Sequence, residues 1–438
     1  MSYIVGHPIK RPQDFYGRHE QVTRFYEIVG GAQAQSLSIL GLRRAGKTSF
    51  LRYVAQPQVM ARYLPDPQAY TFIYLDMSAC KSPADFYQRL LVHLKASLGQ
   101  VGALPEAPLL WRQSPPGAAS LFDAETLLCH FPERRVVLLL DEFDQLRRDS
   151  FDQDFLIELR AMTGVLDYDL ACVTASYWDL YYLGSRVGLP PTSPFYNIFY
   201  PTPIYLSGLE TAAIEALVRS PAQREGVSFD KEAMATIRTL AGSLPFFLQA
   251  TAAKWLQHDK GSAESLDGDV ALGQLTAELA PYFEQWWRHF DAGDQEVLRC
   301  VAYQIATEML PYTHFEIEAA IRRLGSYGLL YQEAGQLAIN GALFATWIRE
   351  FSQVTENRAK EMAMMGNTAD PAGLRQALID YFSLDELRTL CFDLGIDFEE
   401  LPGTSKGAKA RDLVQYWRNR RDLNRLVEAI RHERGAIV

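Results

Sequence analysis

The chain has 438 residues with a formal net charge of −10, and 48% of its residues are hydrophobic against 22% charged. That length supports two to four domains, each able to bury a core, and the acidic balance argues against broad nucleic-acid binding and leaves proteins as the expected partners. Five scattered cysteines without a CxxC pair, no apolar stretch of about 18 residues, and an N-terminus without signal-peptide character together predict a reduced, cytoplasmic protein without disulfide framework, zinc site or membrane anchor.

In chain order, an irregular start leads through Phe15-Tyr16-Gly17-Arg18 into an amphipathic helix carrying Val22, Phe25, Ile28 and Val29. The apolar run Leu37 to Leu40 then meets Gly41-Leu42-Arg43-Arg44-Ala45-Gly46-Lys47-Thr48, followed by Ser49-Phe50-Leu51. This is the GxxxxGK[ST] spacing of a strand, a phosphate-binding loop and a helix start. Gly41 and Gly46 are expected to take backbone angles that a side chain would forbid, so that successive N–H groups surround a phosphate. The helix N-terminus adds its positive dipole end. Lys47 would reach the β- and γ-phosphates, and the Thr48 hydroxyl would bind Mg²⁺. Arg43, Arg44, Ala45 and Ser49 belong to the same set of expected nucleotide contacts.

Tyr70 to Asp76 reads as a second strand, and a helix is expected from about Ser82 to Leu98. The Gly- and Pro-rich residues 99–119 read as a surface insertion. After a helix from Leu121 to Phe131, the continuous run Val136 to Leu140 predicts a strand buried on both faces of a parallel sheet. It ends in Asp141-Glu142-Phe143-Asp144, at the carboxyl edge where α/β sheets bind ligands. Asp141 would hold Mg²⁺, directly or through water, and Glu142 is the candidate base that polarises an attacking water. Asp144 reads as part of a solvated turn. Leu170 to Ala175 and Ile204 to Leu206 complete five strands, separated by the long Pro-rich connection Gly184 to Pro203. Strands alternating with helices predict a doubly wound α/β core over residues 1–208, with a parallel five-stranded sheet.

Beyond Leu209 helical periodicity takes over, broken at Gly242-Ser243-Leu244-Pro245 and by an expected loop over 259–269. Residues 209–280 read as a helical lid. Residues 281–351 read as a winged helix-turn-helix, with a capping box at Thr313 and Glu316 and a hairpin on either side of Glu333 to Gln336. Its candidate recognition helix sets Glu316 and Glu318 against Arg322 and Arg323, so no net positive face for DNA is expected. A polar linker, 352–369, precedes a helical bundle over 370–438 with a second capping box at Ser383 and Glu386. Acids gather at Asp393, Asp397, Glu399 and Glu400, and bases at Lys406, Lys409, Arg411, Arg418, Arg420 and Arg421. These read either as a mixed solvated surface or as two opposed patches for head-to-tail association.

On Phe15 to Arg18, the phosphate loop with its paired arginines, Val136 to Asp144 and Gly242 to Pro245, the first 350 residues resemble STAND-class P-loop ATPases, near the archaeal-ATPase-like, AAA-related group. The resemblance implies that the stretch around Tyr16, Gly17 and Arg18 contacts adenine. It implies that Thr174 or Ser176, at the tip of the fourth strand, senses the γ-phosphate, and that Pro245 packs near the base and reports nucleotide state. Related chains often carry an arginine shortly before the fifth strand. Here no basic residue stands between Pro194 and Leu206, Ile198 occupies the comparable place, and Arg160 or Arg186 are the candidate substitutes. Slow hydrolysis follows as an expectation.

The C-terminal bundle, on Leu374 to Ser383, Glu386 to Gly395, Glu399 to Gly403 and Lys409 to Arg411, resembles effector-associated, death-domain-like adaptors of bacterial conflict systems. That resemblance implies homotypic binding to an effector protein bearing a similar domain. Together the two resemblances imply an ATP/ADP- and Mg²⁺-dependent signalling ATPase that oligomerises on activation. The alternative is an ATP-dependent DNA-binding regulator that uses the winged helix.

Overall fold

A strand buried on both faces favours a continuous apolar run, and Arg135–Asp141 (β3) is buried from end to end, with Val136 to Leu140 apolar between two buried charged ends. The computed structural model describes residues 3–100, 119–131, 133–146, 150–261, 267–333, 335–351, 371–403, 405–420 and 423–434. The expected linker 352–369 and most of the expected insertion, 101–118, lie outside the described residues. The described chain divides into two compact units, Met1–Arg349 and Glu350–Val438.

In the first unit, helix α1 (His19–Val29) leads to β1 (Leu37–Leu40), α2 (Lys47–Val54), α3 (Pro57–Tyr63), β2 (Tyr70–Asp76), α4 (Pro83–Gln100) and α5 (Leu121–Leu128). After β3 come α6 (Gln153–Thr163), β4 (Asp169–Ser176), α7 (Leu180–Arg186) and β5 (Ile204–Tyr205). All five strands are parallel in the order β2-β3-β4-β1-β5. The register pairs Asp76 with Asp141, Leu140 with Thr174 and Leu40 with Ser176, so the strand ends that carry candidate residues meet at one edge. The alternation of β2 is that of a sheet-edge strand with one face inward. One sheet face is covered by Phe86, Leu90, Phe155 and Leu159 of α4 and α6, all buried against Leu138 and Leu140. Deleting such a side chain to alanine costs about 2–5 kcal/mol.

Helices α3 and α7 were not expected. A proline at the first helical position of α3 supplies a preset φ, and Asp179 caps α7 at the N–H of Tyr182. The Pro-rich connection is partly ordered by α7 and by a 3₁₀ turn, Pro194–Ile198.

Four helices follow, α8 (Thr211–Arg224), α9 (Lys231–Ala241), α10 (Pro245–Gly261) and α11 (Gly268–Trp287). They enter the expected 259–269 loop from both sides, and α11 passes through Pro281 without ending. Then come α12 (Ala292–Tyr303), α13 (His314–Ser326) with its Thr313–Glu316 capping box, and the antiparallel hairpin β6 (Leu330–Glu333) and β7 (Gln336–Ile339). A helix over 342–351 (α14) closes the unit by packing Phe344 and Trp347 on Phe283 of α11. Asn340 locks this region together: its Nδ2 donates to Ser243 Oγ and to the Gly328 carbonyl, and its Oδ1 accepts from the Ser243 N–H.

The second unit holds α15 (Pro371–Tyr381), α16 (Leu384–Asp393), α17 (Lys406–Asn419) and α18 (Leu423–Arg434) around Leu378, Leu390, Leu413 and Leu426. The Ser383–Glu386 box opens α16, and Gly395 at φ +71° turns the chain beyond it. Lys409 departs from its expected place in a surface basic patch. It is buried, and its Nζ donates to the carbonyls of Phe398 and Leu401 while lying 4.5 Å from the centre of the Phe398 ring. Among the described residues, no helix is long and apolar enough to cross a membrane.

Candidate functional site

The turn between β1 and α2 forms around two left-handed residues, Arg44 at φ +70° and Gly46 at φ +97°. A Cβ built on Gly46 would meet no protein atom within 4 Å, so this glycine faces an open cradle. Gly41 departs from the expectation. Its φ is not positive, and what favours glycine there is tight packing, since a Cβ would sit 3.3 Å from both the Ala45 Cβ and the Leu206 carbonyl oxygen. The loop is thus shaped at one end by backbone freedom and at the other by close packing against the end of β5.

Lys47, first residue of α2, is buried with its ammonium donating to the carbonyls of Gly41 (2.9 Å) and Leu42 (3.2 Å). Burial lowers its pKa, opposed by Asp144, Glu142 and Asp141. The acidic tip of β3 therefore stands within electrostatic reach of the loop, one strand away across β4. Asp141 is buried at 1% exposure. Its Oδ2 accepts from the Tyr74 hydroxyl (2.7 Å) and its Oδ1 from the N–H of Glu142 (3.0 Å). Glu142 adopts φ +51°, which turns it away from the strand direction, and burial raises its pKa against the pull of Lys47. Asp144 does more than decorate a solvated turn, since it accepts from the N–H of Tyr177 (3.3 Å) and ties the end of β4 to the acidic tip.

A cleft of about 440 Å³ opens beside the loop. Of the residues singled out in the sequence, Phe15, Tyr16, Arg18, Arg43, Arg44, Ala45, Gly46, Lys47, Thr48, Ser49, Glu142 and Pro245 line it. Gly17, Gly41, Asp141, Thr174 and Ser176 do not. Gly17 packs against Ala213 and Glu210, while neighbouring Tyr16 takes a place in the wall. Arg18 borders the cleft, but its guanidinium braces backbone, donating to the carbonyls of Ala45 (2.9 Å) and Ser207 (2.8 Å). Burial lowers its pKa to about 10, against the opposing pull of Glu210. The Thr174 hydroxyl is fully buried beside Ser38, its register partner, and the hydroxyl oxygens of both have no hydrogen-bond partner among the described residues. Ser176 donates to the Trp178 carbonyl (2.7 Å). Neither hydroxyl at the end of β4 enters the cleft.

The rest of the wall had no sequence signal. The segment Ile4 to Ile9 crosses the cleft, with the Ile4 N–H donating to Gln249 Oε1 of α10 and the Ile9 N–H to Ser49 Oγ of α2. Asp14, Leu209, Leu217, Phe246, Tyr282 and Gln285 complete it. Arg44 lies 5.1 Å from the Phe246 ring and 5.2 Å from the Tyr282 ring, and donates to the Gly6 carbonyl. The Trp286 indole N–H donates to the Arg43 carbonyl at 3.2 Å. These partners come from α10, α11 and the N-terminal segment, and their sequence separation hides them from any local pattern.

The donor set suits a nucleotide polyphosphate with a hydrated divalent cation. Gly46 leaves the cradle open, Lys47 and the start of α2 supply positive charge, and the Thr48 hydroxyl lines the same wall. Both carboxylate oxygens of Asp141 already accept protein hydrogens, which fits it to receive a cation-bound water rather than the ion itself. Among the described residues, no cluster of His, Cys, Asp and Glu could hold a metal by itself.

The family model described as Novel STAND NTPase 1 matches residues 9–324, and that of Effector-associated domain 7 matches residues 374–435. Among solved structures, the Walker-type ATPase PABY2304 of Pyrococcus abyssi is similar at 16% identity, over 78% of this chain and 99% of that one, with a TM-score of 0.55. The Aeropyrum pernix ORC2 protein, in its ADPNP-ADP complexes, is similar at 13% identity over 81% and 97% of the two chains, with a TM-score of 0.41. No curated protein matches the sequence.

Proposed function

The chain belongs to the novel STAND NTPase 1 family and is a P-loop ATPase with a C-terminal effector-associated domain, and from that premise we propose that it is a nucleotide-operated signalling switch. ATP and ADP are its ligands and Mg²⁺ its cation. Lys47 and the loop N–H groups hold the phosphates. Thr48 offers its hydroxyl to Mg²⁺, Asp141 orients a water of that ion, and Glu142 orients the attacking water.

One observation carries the reading: the phosphate loop is bonded directly to the helices that follow the sheet. Arg44 sits between aromatic rings of α10 and α11, and the Arg43 carbonyl accepts from Trp286 of α11. A γ-phosphate that repositions either arginine has a physical route to α11, α14 and the chain beyond. ATP and ADP drive a switch only through their differential affinity for its two states. In the ATP state the chain forms a homo-oligomer in the cytoplasm and clusters its C-terminal domains. Clustering recruits an effector bearing a similar death-like domain by avidity, in bacterial defence signalling.

The test is light scattering of the full chain with ATP, with ADP, and with ATP after Lys47→Ala. The proposal expects assembly in the first case alone. Equal assembly in all three would sink it. The alternative, a DNA-binding regulator, has weaker support. Arg323 of α13 is held by Asp291 and by buried Asp294, and Arg322 pairs with Glu318, so these cations are already neutralised.

A further inference from the structure

The two arginines of the phosphate loop are adjacent in sequence and opposite in circumstance. Arg44 is engaged by two rings and a carbonyl. Arg43 lines the cleft half-buried, with its Nε shut off from solvent, and no hydrogen bond or ion pair of its side chain occurs among the described residues. Leaving a buried N–H unbonded is unfavourable. Arg43 lines the same cleft as Lys47 and Glu142, and its charge is the smallest of the influences felt at each of them. The alternatives stand elsewhere: Arg160 and Arg186 are exposed on α6 and α7, and neither lines the cleft. Arg18 also borders the cleft and its buried Nη1 has no hydrogen-bond partner among the described residues, but its Nη2 is fixed on two backbone carbonyls, which holds the guanidinium against the loop.

We propose that Arg43 is a catalytic arginine supplied in cis by the phosphate loop, its guanidinium taking the charge that develops on the transferring γ-phosphoryl group. The assignment rests on the reading of this cleft as the ATP site. In the step it serves, the bond from the γ-phosphorus to the β,γ-bridging oxygen breaks and leaves its electron pair on ADP. The attacking water forms the new phosphorus–oxygen bond, and its proton passes to the Glu142 carboxylate. Arg43 stays protonated throughout and stabilises the equatorial oxygens. The Trp286 bond to its main-chain carbonyl holds the backbone in place whatever side chain stands there.

The experiment uses the full chain with Arg43→Ala and Arg43→Lys, and with Arg44→Ala and Lys47→Ala beside them. It reads ADP and ATP affinity, single-turnover hydrolysis at saturating ATP, and the retention of ADP by aluminium fluoride and Mg²⁺. Arg43→Ala is expected to lower the single-turnover rate about 100- to 1,000-fold, with ATP affinity within about threefold of wild type. The same variant is expected to abolish aluminium-fluoride trapping while ADP alone still binds, and Arg43→Lys to recover part of both. Trapping decides the matter by itself, because a loop residue that merely supports the fold would not distinguish ADP from ADP with aluminium fluoride. Wild-type trapping by Arg43→Ala overturns the assignment, as does a rate within threefold of wild type. A loss confined to ATP affinity overturns it too, since that is ground-state binding. ATP binding undiminished in Lys47→Ala would instead remove the cleft as the ATP site, a failure of the underlying reading that shows in a different variant.

Discussion

Two buried lysines, one in each unit, do the same local chemistry. Lys47 donates to the carbonyls of Gly41 and Leu42, and Lys409 to those of Phe398 and Leu401. Their surroundings separate them. Lys47 borders a cleft with Glu142, a glycine facing open space and an arginine whose side chain has no hydrogen bond among the described residues. Lys409 is sealed under Phe398, where its charge completes the 3₁₀ turn Phe398–Glu400 and offers nothing to a ligand. A lysine held on carbonyls is therefore no sign of function by itself. The open cleft and the glycine facing it are what set Lys47 apart.

Breaking this contrast should have its largest effect at the loop. Lys47→Ala is expected to lower ATP affinity at least about 100-fold, since charge-assisted bonds to phosphate are worth roughly 1.5–3 kcal/mol each. Titration with a fluorescent ATP analogue checks this. Next comes Glu142→Gln, expected to cut steady-state hydrolysis about 100-fold while leaving ATP binding intact. Glu142 must be ionised to accept a proton, and burial raises its pKa. The wild-type rate should therefore fall with decreasing pH at values above the ordinary carboxylate range, and Glu142→Gln should lose that limb of a pH–rate profile.

At the other lysine, Lys409→Met should leave nucleotide affinity unchanged. It should destabilise the bundle by about 2–3 kcal/mol, because two carbonyls lose their donor. A urea titration followed by hydrogen exchange in α17 would show it, and an unchanged bundle would mean that the two lysines differ less than their settings suggest. The smallest effect is expected for Arg388→Ala. Its ion pair with Glu399 is solvent-exposed on both sides, so denaturant unfolding should move by no more than about 0.5 kcal/mol.

What could be read locally was read well. The bounds of β2 and the capping boxes at Thr313 and Ser383 depend on neighbours within a few residues, and the structure has them where the pattern put them. The phosphate loop and the acidic strand were legible for the same reason. The candidate site was about half legible. Twelve named residues line the cleft, but the segment from Ile4 to Ile9 and the aromatic wall of Phe246 and Tyr282 left no trace in the spacing. Arg18 and Lys409 were assigned to a ligand and to a surface patch, and both turned inward to backbone carbonyls that only the folded chain presents.

The sequence by itself determined that a parallel sheet brings a phosphate loop and two acids to one edge. Short-range patterns of burial, glycine spacing and charge suffice for that. Only the tertiary structure decided which of two adjacent arginines is engaged by aromatic rings and which lines the cleft with its Nε unbonded among the described residues. That choice depends on Phe246, Tyr282 and Trp286, aromatic residues some 200 positions away in sequence that meet the loop only when α10 and α11 pack against it.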